Sequence, residues 1–131
     1  MRLAGWRCAP GYDRAVARIT GYEFGRVEVD GREHTRDVIV LPDRVVAGWW
    51  RRDGHSLVLD DLDEVLAELP ERLVLGCGAH GRLRPDPSVA EALARRGTEL
   101  EALPTADAVR RYGEFERENP AAIAAALHLT C

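Results

Sequence analysis

A chain of 131 residues, 46% hydrophobic and 31% charged, is long enough to bury a core as one compact domain and is not the composition of a disordered segment. Its net charge of −4 argues against a nucleic-acid partner, and no apolar run approaches the ~20 residues that span a bilayer. All 18 basic residues are arginine, which excludes a lysine Schiff base or a lysine general base.

Three cysteines, at positions 8, 77 and 131, form no paired pattern, so a reducing compartment and a cytoplasmic location are expected. Residues 1–16 read as a poorly periodic arm with a Pro10-Gly11 turn and no apolar signal-peptide core; residues 17–131 read as a single domain. Ile19, Tyr22 and Phe24 lead to Gly25, after which Val27 and Val29 alternate with charges, and the change of parity predicts a bulge or bend at Gly25. Asp30-Gly31 predicts a hairpin whose returning strand runs into Asp37–Leu41 and stops at Pro42. Val45–Trp50 is expected to be a strand, turned at Asp53-Gly54.

Beyond His55 the pattern changes to alternating helices and strands. Leu62, Val65, Leu66 and Leu69 have helical spacing, with Asp60 or Asp61 as N-cap and Pro70 as stop. Arg72–Leu75 is a short buried strand; Asp86-Pro87 opens a helix with Val89 and Leu93 on its core face and Gly97 at its end. Thr98–Leu103 is a strand. Thr105 is expected to cap a helix that buries Ala108, Val109, Tyr112 and Phe115 and ends near Asn119-Pro120. The alanines of Ala121–Leu129 favour helix, whereas its place in the series favours strand. An antiparallel hairpin region followed by crossover units predicts an α/β fold with a mixed sheet and helices packed on it.

If the later strands are parallel, Gly76–Gly78, Thr105 and the C-terminal residues meet at one carboxyl edge, where open α/β sheets bind ligands. Gly76, Gly78 and Gly81 satisfy G-x-G-x-x-G, with Glu101 downstream, but Pro85 and Pro87 delay the helix that a dinucleotide site needs directly after the turn. The remaining readings are a tight turn or a nest for a smaller anion near Arg82 or Arg84. Cys77-x-x-His80 and His128-x-x-Cys131 have the spacing of zinc-ligand pairs, set against Cys77 as a small residue in a turn and His128 as a core histidine. Cys77 in a glycine turn, with His80 or His128 as base, is the thiol-enzyme reading, and no adjoining acid is identifiable. In Trp49-Trp50-Arg51-Arg52 one indole is expected in the core and the other on a cleft or interface, a composition of protein hot spots and of anion pockets. Asp37 is expected to pair with one of these arginines.

Taken in order, Tyr22-x-Phe24-Gly25, Asp37-Val38-Ile39-Val40-x-Pro42, Trp49-Trp50-Arg51-x-x-Gly54, Leu73-Val74-Leu75-Gly76-x-Gly78, Pro104-Thr105-x-x-Ala108-Val109-x-x-Tyr112 and His128-x-Thr130-Cys131 resemble the Mth938-like domain family, a domain of unknown function, over residues 18–131. The resemblance implies a three-layer α/β fold around a mixed sheet, with the final segment a strand. It implies relatives that include the mitochondrial complex I assembly factor 3 and an adipogenesis-associated protein, and brings no established reaction. Asp37, Trp50, Arg51, Gly76, Gly78, Thr105, His128 and Cys131 match its motif positions. Gly113 stands where the family often has asparagine, and Cys77 stands where it has various residues, which weakens both readings that need that thiol. The expectation is a non-catalytic binding or assembly module without a cofactor, taking a protein partner or a small anion. Its pocket is formed by Gly76, Cys77, Gly78, Thr105, His128 and Cys131, with Asp37, Trp50 and Arg51 for docking. The alternatives are an enzyme using Cys77 or Cys131 with a histidine, and a zinc site of Cys77, His80, His128 and Cys131.

Overall fold

The computed structural model describes residues 18–131; the arm at 1–16 and Cys8 lie outside the described residues. The chain begins with a three-stranded antiparallel meander, β1 (Ile19–Glu23), β2 (Arg26–Val29) and β3 (Arg32–His34). Gly25, at φ 84°, closes the turn between β1 and β2. The parity change therefore marks a hairpin and not a bulge within one strand; the irregularity falls instead between Ile19 and Gly21. Asp30-Gly31 makes the expected second hairpin, with both residues at positive φ. Its returning strand stops at His34 and does not run into Asp37–Leu41. The chain then changes sheet.

The main sheet is built from β4 (Val38–Val40), β5 (Val45–Ala47), β7 (Arg72–Cys77), β9 (Glu99–Leu103) and β10 (Ile123–His128), in the order β5-β4-β10-β7-β9. β10 pairs antiparallel with β4 and parallel with β7, and β7 runs parallel with β9. β6 (Ser56–Leu57) and β8 (Arg84–Pro85) form a small parallel pair to one side. Helix α1 (Pro87–Arg95) links β7 to β9, and α2 (Thr105–Glu118) links β9 back to β10. The two crossovers run in opposite directions along the sheet, so crossovers of one hand place the helices on opposite faces.

Alternation along the inner strands supplies both cores. Leu73, Leu75 and Cys77 of β7, with Ile39, Ala124 and Ala126, pack under Val89 and Leu93 of α1. Val74, Val38, Val40, Ala125 and Leu127 face Ala108 and Tyr112 of α2 and the β1–β3 meander. The layers are thus α1 with the 59–69 segment, the mixed sheet, and α2 with the meander. Arg18 fastens the meander to the sheet by donating to the Leu41 carbonyl and pairing with Asp30 at 2.9 Å.

Asp86 caps α1 by accepting from the Ser88 amide at 2.9 Å, with Pro87 at the first helical position, as the sequence predicts. The α-helix expected over 62–69 is instead two 3-10 turns, Leu59–Leu62 and Leu66–Glu68. Within them the amides of Asp63, Val65 and Glu68 donate to the carbonyls three residues back, and the Asp61 side chain accepts from the Val58 and Arg52 amides, which ties the first turn to the 52–58 loop. Thr105 is not the N-cap of α2: Pro104 is, and the threonine side chain points elsewhere. Residues 123–128 are a strand, buried throughout.

Candidate functional site

The carboxyl ends of β7 and β10 and the start of α2 converge through Thr105. Its hydroxyl accepts from the Gly78 amide at 2.8 Å and donates to the His128 carbonyl at 2.6 Å, while its own amide donates to the Gly78 carbonyl at 3.1 Å. The Ala79 amide donates to the Thr130 carbonyl at 2.7 Å. A Cβ on Gly78, which sits at φ 95°, would lie 2.6 Å from the Cys131 carbonyl oxygen; one on Gly76 would lie 2.9 Å from the Thr105 hydroxyl. Both glycines therefore permit the close approach of other segments, and Gly78 also supplies a left-handed backbone. Gly76, Gly78, Thr105, His128 and Cys131 are brought together as the sequence suggests, but the Gly78 and Ala79 amides are already engaged within the chain.

A second cluster joins the first at His128. Asp37, just before β4, accepts the Leu129 amide at Oδ1 (2.9 Å), and its Oδ2 lies 2.8 Å from His128 Nδ1 and 2.9 Å from Arg51 Nη1. Arg51 Nη2 is 3.1 Å from the same imidazole nitrogen, and its guanidinium stacks 4.7 Å from the Trp49 ring centroid. Burial raises the Asp37 carboxyl, but the hydrogen bonds from His128 and Leu129 and the charge of Arg51 outweigh it, and the net effect holds the group below its ordinary range. His128 Nε2 and Arg51 Nε are buried without a hydrogen-bond partner among the described residues. Asp37 thus pairs with an arginine, as expected. Arg51, though, has a side chain only 5% exposed and is held inside the molecule, so it offers no docking face.

Cys77 and His128 are partners in the parallel register of β7 and β10. With Asp37 they form a row across three neighbouring strands, on the face that carries Ile39, Leu75 and Ala126. Burial pushes the Cys77 thiol above its ordinary range, against a backbone hydrogen bond from Leu103, which disfavours the thiolate that the thiol-enzyme reading needs. Cys77 also lines an apolar cleft of about 350 Å³ with Leu83, Pro85, Leu103 and Pro104. His80 is exposed on the turn, and no group of three or more His, Cys, Asp or Glu side chains is placed to hold a metal ion among the described residues.

Trp49 and Trp50 separate as expected, although Gly48, at φ 68°, ends the strand before them. Trp49 is buried and donates Nε1–H to the Asp61 carbonyl at 2.9 Å; Trp50 is 75% exposed. Trp50 lines a cleft of about 420 Å³ between β5 and the 3-10 turns, beside Arg52, Asp60, Asp63 and Glu64. That acidic lining was not found from sequence: the aspartates fit a helix cap and gave no signal of facing an indole.

A family model described as a protein of unknown function (DUF498/DUF598) matches residues 19–128. Among solved structures, one described as MT938 is 30% identical, covering 86% of this chain and 97% of its own at a TM-score of 0.66. An outer membrane protein from Bartonella henselae is 24% identical over 88% and 96% of the two chains, TM-score 0.73, and a Mth938-like domain of Bordetella pertussis is 20% identical over 95% and 92%, TM-score 0.71. These last two identities show the fold alone. No helix among the described residues is long and apolar enough to cross a membrane.

Proposed function

Since the chain belongs to the Mth938-like family, a family of unknown function, we propose from its surface that it is a non-catalytic docking or assembly module whose partner seats on the Trp50 cleft. The carrying observation is the exposure of Trp50: an indole three-quarters open to solvent beside a concave surface is the kind of anchor on which protein interfaces concentrate their energy. Trp49, Arg51 and Asp61 hold the loop that presents it, so little order is lost on binding. The glycine rim, proposed from sequence as an anion pocket, offers fewer free donors, because the Gly78 and Ala79 amides serve Thr105 and Thr130. Native mass spectrometry of the protein isolated from cells that make it tests the reading. A stoichiometric partner present with the wild type and absent with Trp50→Ala supports it; a partner kept by Trp50→Ala removes the Trp50 cleft.

The rival reading, a cysteine enzyme, has the Asp37–His128–Cys77 row in its favour. Against it stand the raised thiol and the carboxylate shared with Arg51. It requires Cys77 to be alkylated by iodoacetamide at neutral pH faster than a free thiol; the docking module requires slower labelling.

A further inference from the structure

The two outer edges of the main sheet are built differently. On β9, Glu99 and Glu101 carry charge and pair with Arg72 and Arg111, a common protection of an edge. On β5 the residues are Val45, Val46 and Ala47, with no charge. The Leu41 amide donates to the Arg44 carbonyl at 2.8 Å, so Arg44 and Val46 turn their backbone groups toward β4. Alternation then turns the N–H and C=O groups of Val45 and Ala47 outward. Among the described residues no strand pairs with that side. Each face of the edge borders a cleft. Val46 and Ala47 line the acidic Trp50 cleft, and Val45 and Ala47 line a second, of about 350 Å³, with Val29, Asp30, Arg32 and His34.

We propose that β5 accepts an added strand from an extended segment of a partner protein, with arginine or lysine entering the Trp50 cleft and an apolar residue entering the second. This rests on the docking reading above and specifies its partner. Side chains of a strand alternate between faces, so successive residues of an added strand enter the two clefts in turn. In the Trp50 cleft four carboxylates, of Asp60, Asp61, Asp63 and Glu64, stand against the one guanidinium of Arg52. An incoming cation meets complementary charge there and an indole face to stack on. In the second, Asp30 is already paired with Arg18, and Val29, Val45 and Ala47 form an apolar floor beside Arg32 and His34 that favours an apolar neighbour and offers no carboxylate free for a cation. A second copy of the chain fits poorly: an antiparallel two-fold pairing of β5 with itself keeps both acidic clefts on one face, side by side.

The test uses two synthetic eight-residue peptides, one alternating valine with arginine and one alternating valine with glutamate. Indole fluorescence follows binding, and amide exchange follows the edge. The arginine peptide is expected to bind at least tenfold more tightly, to slow exchange at the Val45 and Ala47 amides, and to weaken with added salt. Ala47→Pro, which removes one outward N–H, and Trp50→Ala should each cost at least tenfold. Asp63→Arg keeps the backbone and, leaving three carboxylates against two guanidiniums, should cut the preference for arginine severalfold even if Ala47→Pro fails to fold. Equal binding of the two peptides, or binding without protection of β5, overturns the proposal. If the cellular partner is lost by Trp50→Ala but kept by a folded Ala47→Pro, strand addition falls and docking stands; if both variants keep it, both fall. A dimer broken by Ala47→Pro would overturn the partner segment in favour of a second copy.

Discussion

The glycine rim and the Trp50 face hold most of the conspicuous residues, and they use them in opposite ways. At the rim, Gly78, Thr105, His128 and Asp37 are buried or nearly so and hydrogen-bond one another, and Arg51 joins them. On the Trp50 face the indole is open and three acidic side chains beside it are exposed. Residue types suited to chemistry at the rim therefore close the fold, and those suited to recognition remain available. Rim substitutions should lower stability, and face substitutions should lower binding.

The largest expected effect is from Asp37→Ala. It leaves the Arg51 guanidinium, 5% exposed, without its counter-charge and the Leu129 amide without its acceptor. Breaking one side of a buried ion pair typically costs about 3–5 kcal/mol, and urea unfolding should place this variant in that range. Gly78→Ala should follow at roughly 2–4 kcal/mol, since the new Cβ falls 2.6 Å from the Cys131 oxygen at a φ of 95°. Thr105→Val keeps the volume but strands the Gly78 amide and the His128 carbonyl, for about 1–3 kcal/mol. If all three unfold with wild-type midpoints, the rim is not a closure and the contrast with the Trp50 face fails.

The pH dependence sharpens the same contrast. A carboxyl held below its ordinary value contributes stability that is complete above the unfolded pKa of about 3.9 and is lost as pH falls through the lower folded value. Urea midpoints taken downward from pH 6 should stay level with respect to Asp37 until near pH 4 and then decline. Asp37→Asn should start lower and show a shallower acid decline; an equally steep decline would assign the acid sensitivity to other carboxylates.

Local chemistry made some elements legible and tertiary chemistry hid others. Asp30-Gly31 and Asp86-Pro87 act within two residues, through positive φ and through a side-chain cap, and both form as read. Leu62, Val65, Leu66 and Leu69 have helical spacing, but the amides of Asp63, Val65 and Glu68 bond three residues back, to Asp60, Leu62 and Val65, and only 3-10 turns form. The alanines at 124–126 favour a helix by propensity; their place at the centre of the sheet, between β4 and β7, decides for strand. Asp37 could be matched with an arginine on charge alone. Its meeting with His128, 91 residues away, follows only from the antiparallel placement of β4 beside β10.

Trp50→Ala is the smallest change to the fold and the most decisive for the comparison. The side chain is mostly in water, so its removal should shift unfolding by no more than about 0.5 kcal/mol, the usual size for an exposed position away from special contacts. Trp49→Ala, one residue away, removes a buried indole, its hydrogen bond to the Asp61 carbonyl and the ring beneath Arg51, and should cost at least ~3 kcal/mol. Neighbouring substitutions of one residue type then differ by a measurable gap, and only the mild one is expected to abolish partner capture while leaving the fold's stability unchanged. Were Trp50→Ala to destabilise the protein as much as Trp49→Ala, the exposed indole would be part of the structural closure, and a loss of partner in that variant would carry no information about docking.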